Sequence, residues 1–169
     1  RFTSVTLPVG DTTIDTAVSE FVASTGPTGT VTTKIYCEDA DDPGQIAAGA
    51  DTDYQSRTMT TAFTAWNVPA WNYGTAYSSA DFKSAVQEYT DRGGRASGNA
   101  IQMYVKDNGS ASWAYRTPAA YENASYAAEK LDIDYTFVAP TRGVASSLAA
   151  SGGLAGAGGL AGKGGGLAA

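Results

Sequence analysis

The chain has 169 residues, 43% of them hydrophobic and 11% aromatic, which is enough for one domain with a sizeable core and an appendage. Seventeen acidic residues against eleven basic ones give a net charge of -6, which argues against nucleic acid as a partner. There is no histidine, which excludes a Ser-His-Asp or Cys-His catalytic arrangement and a His-ligated zinc site, and no apolar run is long enough to span a bilayer.

Residues 1–138 are dominated by short runs in which apolar and polar residues alternate between turn residues. Period-two patterns rich in β-branched and aromatic residues are typical of antiparallel strands with one wet face. The pattern predicts an all-β fold, an antiparallel β-sandwich of jelly-roll-like form. The runs are RFTSVTLPVG (1–10), TIDTAVSEFVAS (13–24), TVTTKIYCE (30–38), NAIQMYVKDNG (99–109) and KLDIDYTFV (130–138).

One segment, SSADFKSAVQEYTDRGG (78–94), has helical spacing instead. Ser78 or Ser79 can cap its start and Gly93 can end it, so we expect one short amphipathic helix laid across the sandwich. Its apolar face, at positions i, i+4 and i+7, comprises Phe82, Val86 and Tyr89.

The single cysteine, Cys37, excludes an internal disulfide, and in a strand-like run without any histidine to activate it we expect a buried structural thiol. The acidic loop EDADDPG (38–44) holds paired carboxylates, but neighbours on one loop do not face each other across a sugar, as glycoside hydrolysis requires. We therefore expect that the protein is not an enzyme. The same loop has two interpretations: solvated acids in a turn, which is the commoner case, or ligands of one Ca²⁺ ion. The candidate ligands are Glu38, Asp39, Asp41 and Asp42.

Aromatic residues crowd near two turn-rich segments, 71–79 and 108–130. An exposed flat ring can stack on the apolar face of a sugar while polar neighbours bind its hydroxyls. Large rings are also the main core filler of a sandwich, and packing is the commoner role for any one of them. Trp66, in an alternating run, is expected in the core. The candidate glycan-binding residues are Trp71, Tyr73, Tyr77, Trp113, Arg116 and Tyr121.

The order of these pieces over residues 1–137 resembles the DNRLRE-type domain, most specifically in SGNAIQMYV after the short helix and in TAWNVPAW. The resemblance implies a β-sandwich of bacterial and archaeal surface proteins, some of which are carbohydrate-binding modules, without catalytic residues. This chain has Arg95 where that family usually has an aromatic residue. The family domain also normally begins some strands before Arg1, which leaves either a truncated sequence or a sandwich completed by another chain.

The second part of the chain, residues 139–169, is rich in Gly, Ala and Leu, and we call it the arm. Glycine recurs at every third position from Gly153 to Gly165. This period matches polyproline II, which has three residues per turn. An extended strand is the other possibility, because it also keeps leucines that are six residues apart on one face. The positions that define this spacing are Leu148, Gly153, Leu154, Gly156, Gly159, Leu160, Gly162, Gly165 and Leu167.

Alone, the arm should not hold one conformation, because ordering each residue costs ~1–2 kcal/mol and glycine loses the most. Burying a leucine returns only ~1.5–3 kcal/mol. Composition by itself favours a flexible linker. The other interpretation, which we expect, is an arm that docks on neighbouring subunits. Its last nineteen residues, 151–169, would by themselves reach ~60 Å when extended.

These observations predict a non-catalytic structural subunit of an extracellular or virion surface assembly, such as a decoration, fibre or filament component. Its partners would be other copies of itself or other subunits, reached through the arm. The alternative is a carbohydrate-binding module whose arm is a linker and whose partner is a polysaccharide.

Overall fold

The computed structural model describes residues 1–24, 29–47, 51–120 and 126–139. Within these ranges the chain forms six strands and two short helices, so the all-β prediction is confirmed. The elements are β1 (Thr12–Val22), β2 (Val31–Cys37), α1 (Asp51–Ser56), β3 (Thr64–Val68), β4 (Ala76–Ser78), α2 (Lys83–Thr90), β5 (Met103–Asp107) and β6 (Lys130–Phe137).

The strands form two antiparallel three-stranded sheets, in the orders β4-β1-β6 and β3-β2-β5. In the first sheet β1 pairs with β6 from Thr12↔Phe137 to Glu20↔Lys130, and with β4 over its last three residues. In the second sheet β2 pairs with β3 on one side and β5 on the other. Both sheets and α2 contribute side chains to one hydrophobic core.

Local sequence explains the central strand of the second sheet. In β2 the residues at Val31, Thr33, Ile35 and Cys37 are buried while those between them are partly exposed, as the period-two pattern predicts. β-branched side chains suit this position because their restricted rotamers pack well on a pleated surface. The predicted core position of Trp66, in β3, is also confirmed.

The first predicted strand, residues 1–10, is wrong in its extent. The segment makes only one isolated bridge, Phe2↔Ile101, and Ser4 adopts a left-handed φ of 57° that interrupts any strand. Pro8 lacks an N–H, and Gly10 has a φ of 116° at the turn into β1. The prediction of one helix also needs correction, because α1 accompanies α2.

The predicted apolar face of α2 is confirmed, since Phe82 and Val86 are fully buried and Tyr89 is 2% exposed. The predicted serine cap is wrong. Ser79 instead accepts a hydrogen bond from the Ser19 N–H, and no side chain of the capping residue bonds to the helix. Neither of the described helices is long and apolar enough to cross a membrane.

Segment 79–87 also closes one edge of β1. After β4 ends, the Ser79 N–H donates to Ser19 O at 2.7 Å and the Phe82 N–H donates to Ala17 O at 2.9 Å. Further along, the side chain of Gln87 accepts from the Ile14 N–H at 2.8 Å. The chain therefore covers this edge of the first sheet with its own backbone and side chains.

Candidate functional site

The acidic loop is held by two arginines. The Nη1 of Arg57 contacts both carboxylate oxygens of Glu38, at 3.1 and 3.2 Å, while its Nε donates to Asp53 at 3.0 Å. The hydroxyl of Tyr104 donates to the same Glu38 at 2.9 Å. Glu38 is only 6% exposed, so this cluster compensates a buried carboxylate.

Arg92, just after α2, binds the next part of the loop. Its guanidinium contacts Asp39 and donates from Nε to Asp41 at 2.7 Å. Asp42 accepts a hydrogen bond from the Ala100 N–H at 2.8 Å. These contacts tie the loop to the end of α2 and to the chain that leads into β5.

These contacts give the four candidate calcium ligands protein partners. Among the residues that the structure describes, no group of three or more His, Cys, Asp or Glu is arranged to hold a metal ion. The geometry thus favours the structural interpretation of the loop, in which the carboxylates fix it to the body of the domain.

Cys37 is fully buried at the end of β2, as the sequence predicts. Burial raises the pKa of its thiol to about 12, with a further contribution from the charge of Glu88. At neutral pH the group is a protonated thiol, which is a poor nucleophile.

Trp71, one of the candidate glycan-binding residues, is 4% exposed and belongs to the core. Its ring stacks on Tyr77 with centroids 5.6 Å apart and lies 6.1 Å from the ring of Phe21. The composition of its loop suggested exposure, but rings from β1 and β4 cover it. In this arrangement Trp71 offers no face on which a sugar could stack. Tyr77 is half-buried in the same stack.

The indole Nε1 of Trp71 is the one buried side-chain nitrogen or oxygen in the described ranges that has no hydrogen-bond partner. An unpaired buried donor costs ~1–3 kcal/mol. Trp71 also lines a cleft of about 310 Å³, whose other lining residues include Phe21 of β1, Trp66 of β3 and Arg116.

Trp113 is placed very differently, because the residue is 93% exposed. It also has a left-handed φ of 64°, which costs a bulky residue free energy and which the surrounding loop must stabilise. Tyr73 is 67% exposed and meets the ring of Tyr126 edge-on at 5.5 Å. Tyr121 and the arm positions from Leu148 to Leu167 lie outside the described residues.

The loop that carries Trp113 is fastened at its beginning. Asp107 accepts hydrogen bonds from the N–H groups of Gly109 and Ser110, at 3.1 and 3.0 Å. The hydroxyl of Ser110 then donates to Thr32 O at 3.0 Å. The loop therefore starts as a tight turn bonded to β2.

The end of the same loop is held by Arg116. Its Nε donates to Pro69 O at 2.8 Å and its Nη2 donates to Gly29 O at 3.1 Å. Gly29 has a φ of 74°, and a Cβ there would lie 2.8 Å from the Cβ of Ala114. A loop held at both ends therefore presents Trp113 to solvent. Arg116 stabilises the loop through its hydrogen bonds to Pro69 O and Gly29 O.

The last feature is the outer edge of β6, which pairs with no strand among the described residues. The alternation in this run predicts one apolar row along the strand, made of Leu131, Ile133, Tyr135 and Phe137, and this row is covered at one end only. Leu131 and Ile133 are half-buried, whereas Tyr135 is 41% exposed and Phe137 37% exposed. A groove of about 430 Å³ runs between this strand and residues 2–7.

Sequence reasoning missed the arginine partners of the acidic loop and the open groove beside β6. The alternation in residues 130–138 gave the strand and its apolar row but not its position at a sheet edge. Arg95, singled out only as a departure from the family pattern, is 4% exposed and donates to backbone carbonyl groups.

No protein-family model matches the chain, and comparison with curated proteins and with solved structures gives no match either. The resemblance to the DNRLRE-type domain therefore stays a hypothesis, and function has to be argued from the residues.

Proposed function

We propose that this chain is a non-catalytic structural subunit of an extracellular or virion surface assembly, as a decoration, fibre or filament component. In this proposal the body is a jelly-roll-like β-sandwich of the DNRLRE type. The arm, residues 139–169, makes the contacts with other copies or other subunits.

The observation that carries the proposal is the open edge of β6. One flank of β1, the central strand of the first sheet, is covered by β4, segment 79–82 and Gln87, and its other flank pairs with β6, whose own outer edge of eight residues pairs with no strand in the described part of the chain. Natural proteins usually blunt or cover such edges, because exposed backbone groups recruit other strands. An edge left open beside an apolar row suits a domain that is completed by a partner.

The arm supports the proposal through its charge and reach. All seventeen acids and nine of the eleven bases lie at or before Asp134, so the body carries -8 and the rest of the chain +2. The opposite signs favour contact between one copy's arm and another's body, an attraction that salt screens. An extended arm of this length passes beyond the domain that bears it.

The non-catalytic part of the proposal rests on the engagement of the chemically capable groups. Arg57 and Arg92 bind Glu38, Asp39 and Asp41, so these carboxylates do not form a free acid–base pair. The Cys37 thiol is buried and protonated at neutral pH.

Deletion of residues 141–169 tests the proposal. We expect the truncated protein to keep its circular dichroism spectrum and thermal transition but to remain monomeric in size-exclusion chromatography and electron microscopy. A matched control keeps the length and glycines of the arm but replaces its four leucines with serine, which separates the role of reach from that of apolar contact. Normal assembly of the truncated protein would refute the proposal.

A second candidate function, carbohydrate binding, is favoured by one observation: Trp113 is almost fully exposed on a fastened loop. A protein that holds a tryptophan ring in solvent at the cost of a left-handed backbone has a platform suited to stacking on a sugar. If this function is correct, Trp113→Ala abolishes saturable binding to a polysaccharide, while Phe63→Ala, which removes another exposed ring, has no effect. The absence of any hit on a glycan array counts against it.

A further inference from the structure

We propose that the acceptor for the arm is the groove between β6 and residues 2–7, where residues 151–169 of a second copy add as a strand beside β6. This inference rests on the proposed function and names the surface through which it acts.

One wall of the groove is fixed and turned away from β6. Phe2 and Ile101 exchange backbone hydrogen bonds at 2.8 and 2.9 Å, and the Val5 N–H donates to Asn99 O at 3.1 Å. Arg95 donates to Leu7 O at 3.1 Å. These bonds direct residues 2–7 towards the chain that precedes β5, and none of the hydrogen bonds among the described residues joins them to β6.

The other wall is β6, which has backbone groups available for a strand. On its inner side β6 is paired with β1 from Lys130 to Phe137. In an antiparallel ladder, alternate residues direct both their N–H and their C=O to the opposite side, so about half of the strand faces outward unpaired. A strand of about eight residues, ~27 Å long, satisfies these groups.

The spacing of the arm matches the apolar row of β6. Leu154 and Leu160 are six residues apart and lie on one face of an extended chain, ~20 Å from each other. Leu131 and Phe137 are also six residues apart, at the two ends of the row. When each leucine lies opposite one end of the row, the intervening positions on that face are Gly156 and Gly158.

Glycines at those two positions suit the middle of the groove. There Ile133 and Tyr135 face residues 2–7 across the space that the added strand would enter. A glycine has no side chain, so its backbone can approach closely where larger residues already fill the surface. The leucines then cover the ends of the row, where Phe137 is 37% exposed.

The charges are also complementary. The strand β6 carries Asp132, Asp134 and Lys130, all exposed, for a net charge of -1, whereas residues 151–169 contain one charged side chain, that of Lys163. We expect this attraction to be weak and to fade with salt, because the groups are exposed.

The point at which the arm leaves the domain favours a second copy. The Val138 N–H donates to Asp11 O at 2.9 Å, which keeps the chain beside β1 to the end of β6. To enter its own groove, the arm would have to turn back along β6 within residues 139–150, whereas the groove of a neighbour requires no such turn.

The test uses two full-length variants. The variant Tyr135→Glu places a negative charge in the groove and leaves the arm intact. The variant Leu154→Ser/Leu160→Ser removes two apolar side chains from the arm and leaves the groove intact. Phe63→Glu is the matched control, because Phe63 is 44% exposed and Tyr135 41%. Circular dichroism establishes that each variant is folded, and light scattering after size exclusion gives its mass.

We expect both groove and arm variants to be monomeric alone, the control to assemble like the wild type, and a mixture of the two variants to form a one-to-one dimer. A fluorescent peptide of residues 151–169 should bind the Tyr135→Glu variant at least about tenfold more weakly than the arm variant, whose groove is unchanged and not filled by its own assembly.

Three outcomes would overturn the inference. If Tyr135→Glu assembles normally while the arm variant does not, the arm is needed but its acceptor lies elsewhere, and the proposed function survives. If both assemble normally, the proposed function fails with the inference. If the wild type is monomeric and peptide binds it only after the arm leucines are replaced, the arm fills its own groove.

Discussion

Arg95 offers the most direct check of how the groove wall is held. The guanidinium is 4% exposed and donates to three backbone carbonyl oxygens: that of Thr90 at 3.2 Å, that of Leu7 at 3.1 Å, and that of Pro8. Its charge centre also lies 6.0 Å from the centroid of the Tyr89 ring. The substitution Arg95→Met keeps much of the side chain's length and removes every donor.

The expected loss of stability follows from the backbone carbonyl groups that the substitution leaves without a hydrogen-bond donor. The carbonyl groups of Thr90 and Leu7 lose buried hydrogen bonds, and each unsatisfied buried acceptor costs ~1–3 kcal/mol. Against this, the substitution removes a buried charge that has no carboxylate partner in the described part of the chain, and burying such a charge is itself costly. We expect a net loss of ~2–4 kcal/mol, because backbone groups satisfy the guanidinium in the folded state.

Urea denaturation followed by tryptophan fluorescence measures this loss, and hydrogen exchange shows whether residues 2–7 open more readily in the variant. Lys106→Met is the control, because Lys106 is exposed and its replacement should change stability by less than ~0.5 kcal/mol. An Arg95→Met protein as stable as the wild type would mean that the cost of the buried charge outweighs the hydrogen bonds, and the reasoning would be refuted.

Two further substitutions test local features. Tyr104→Phe removes a hydrogen bond to the buried Glu38 and should cost ~1.5–3 kcal/mol at pH 7. Burial, followed by that hydrogen bond, raises the pKa of Tyr104, so its contribution is complete below the unfolded value near ~10 and is lost as pH rises through the higher folded value. The difference between wild type and variant, from urea titrations at several pH values, should therefore shrink above pH ~10, and a constant difference contradicts this. Gly29→Ala should lose ~1–3 kcal/mol because of its left-handed φ and its 2.8 Å contact with Ala114, whereas Gly44→Ala, in open space, should leave the melting temperature nearly unchanged.

The sequence by itself determined the strand character of β1, β2, β5 and β6 and the buried face of α2. Period-two and period-3.6 patterns are local, and a residue such as Ile35 or Val86 is buried wherever its element packs. The strand β4, of three residues, carries too little alternation to be recognised.

The tertiary structure decided which groups meet. Arg92 is 53 residues from Asp39 in the chain. Local spacing in the sequence therefore does not predict that ion pairs hold the acidic loop. Trp71 lies in a loop whose composition indicates exposure, yet distant rings cover it, while Trp113 in a similar loop remains in solvent. Whether β6 lies inside a sheet or at its edge likewise depends on long-range pairing. Local patterns fix which face of an element is apolar, and only the packing of distant elements determines whether that face is covered.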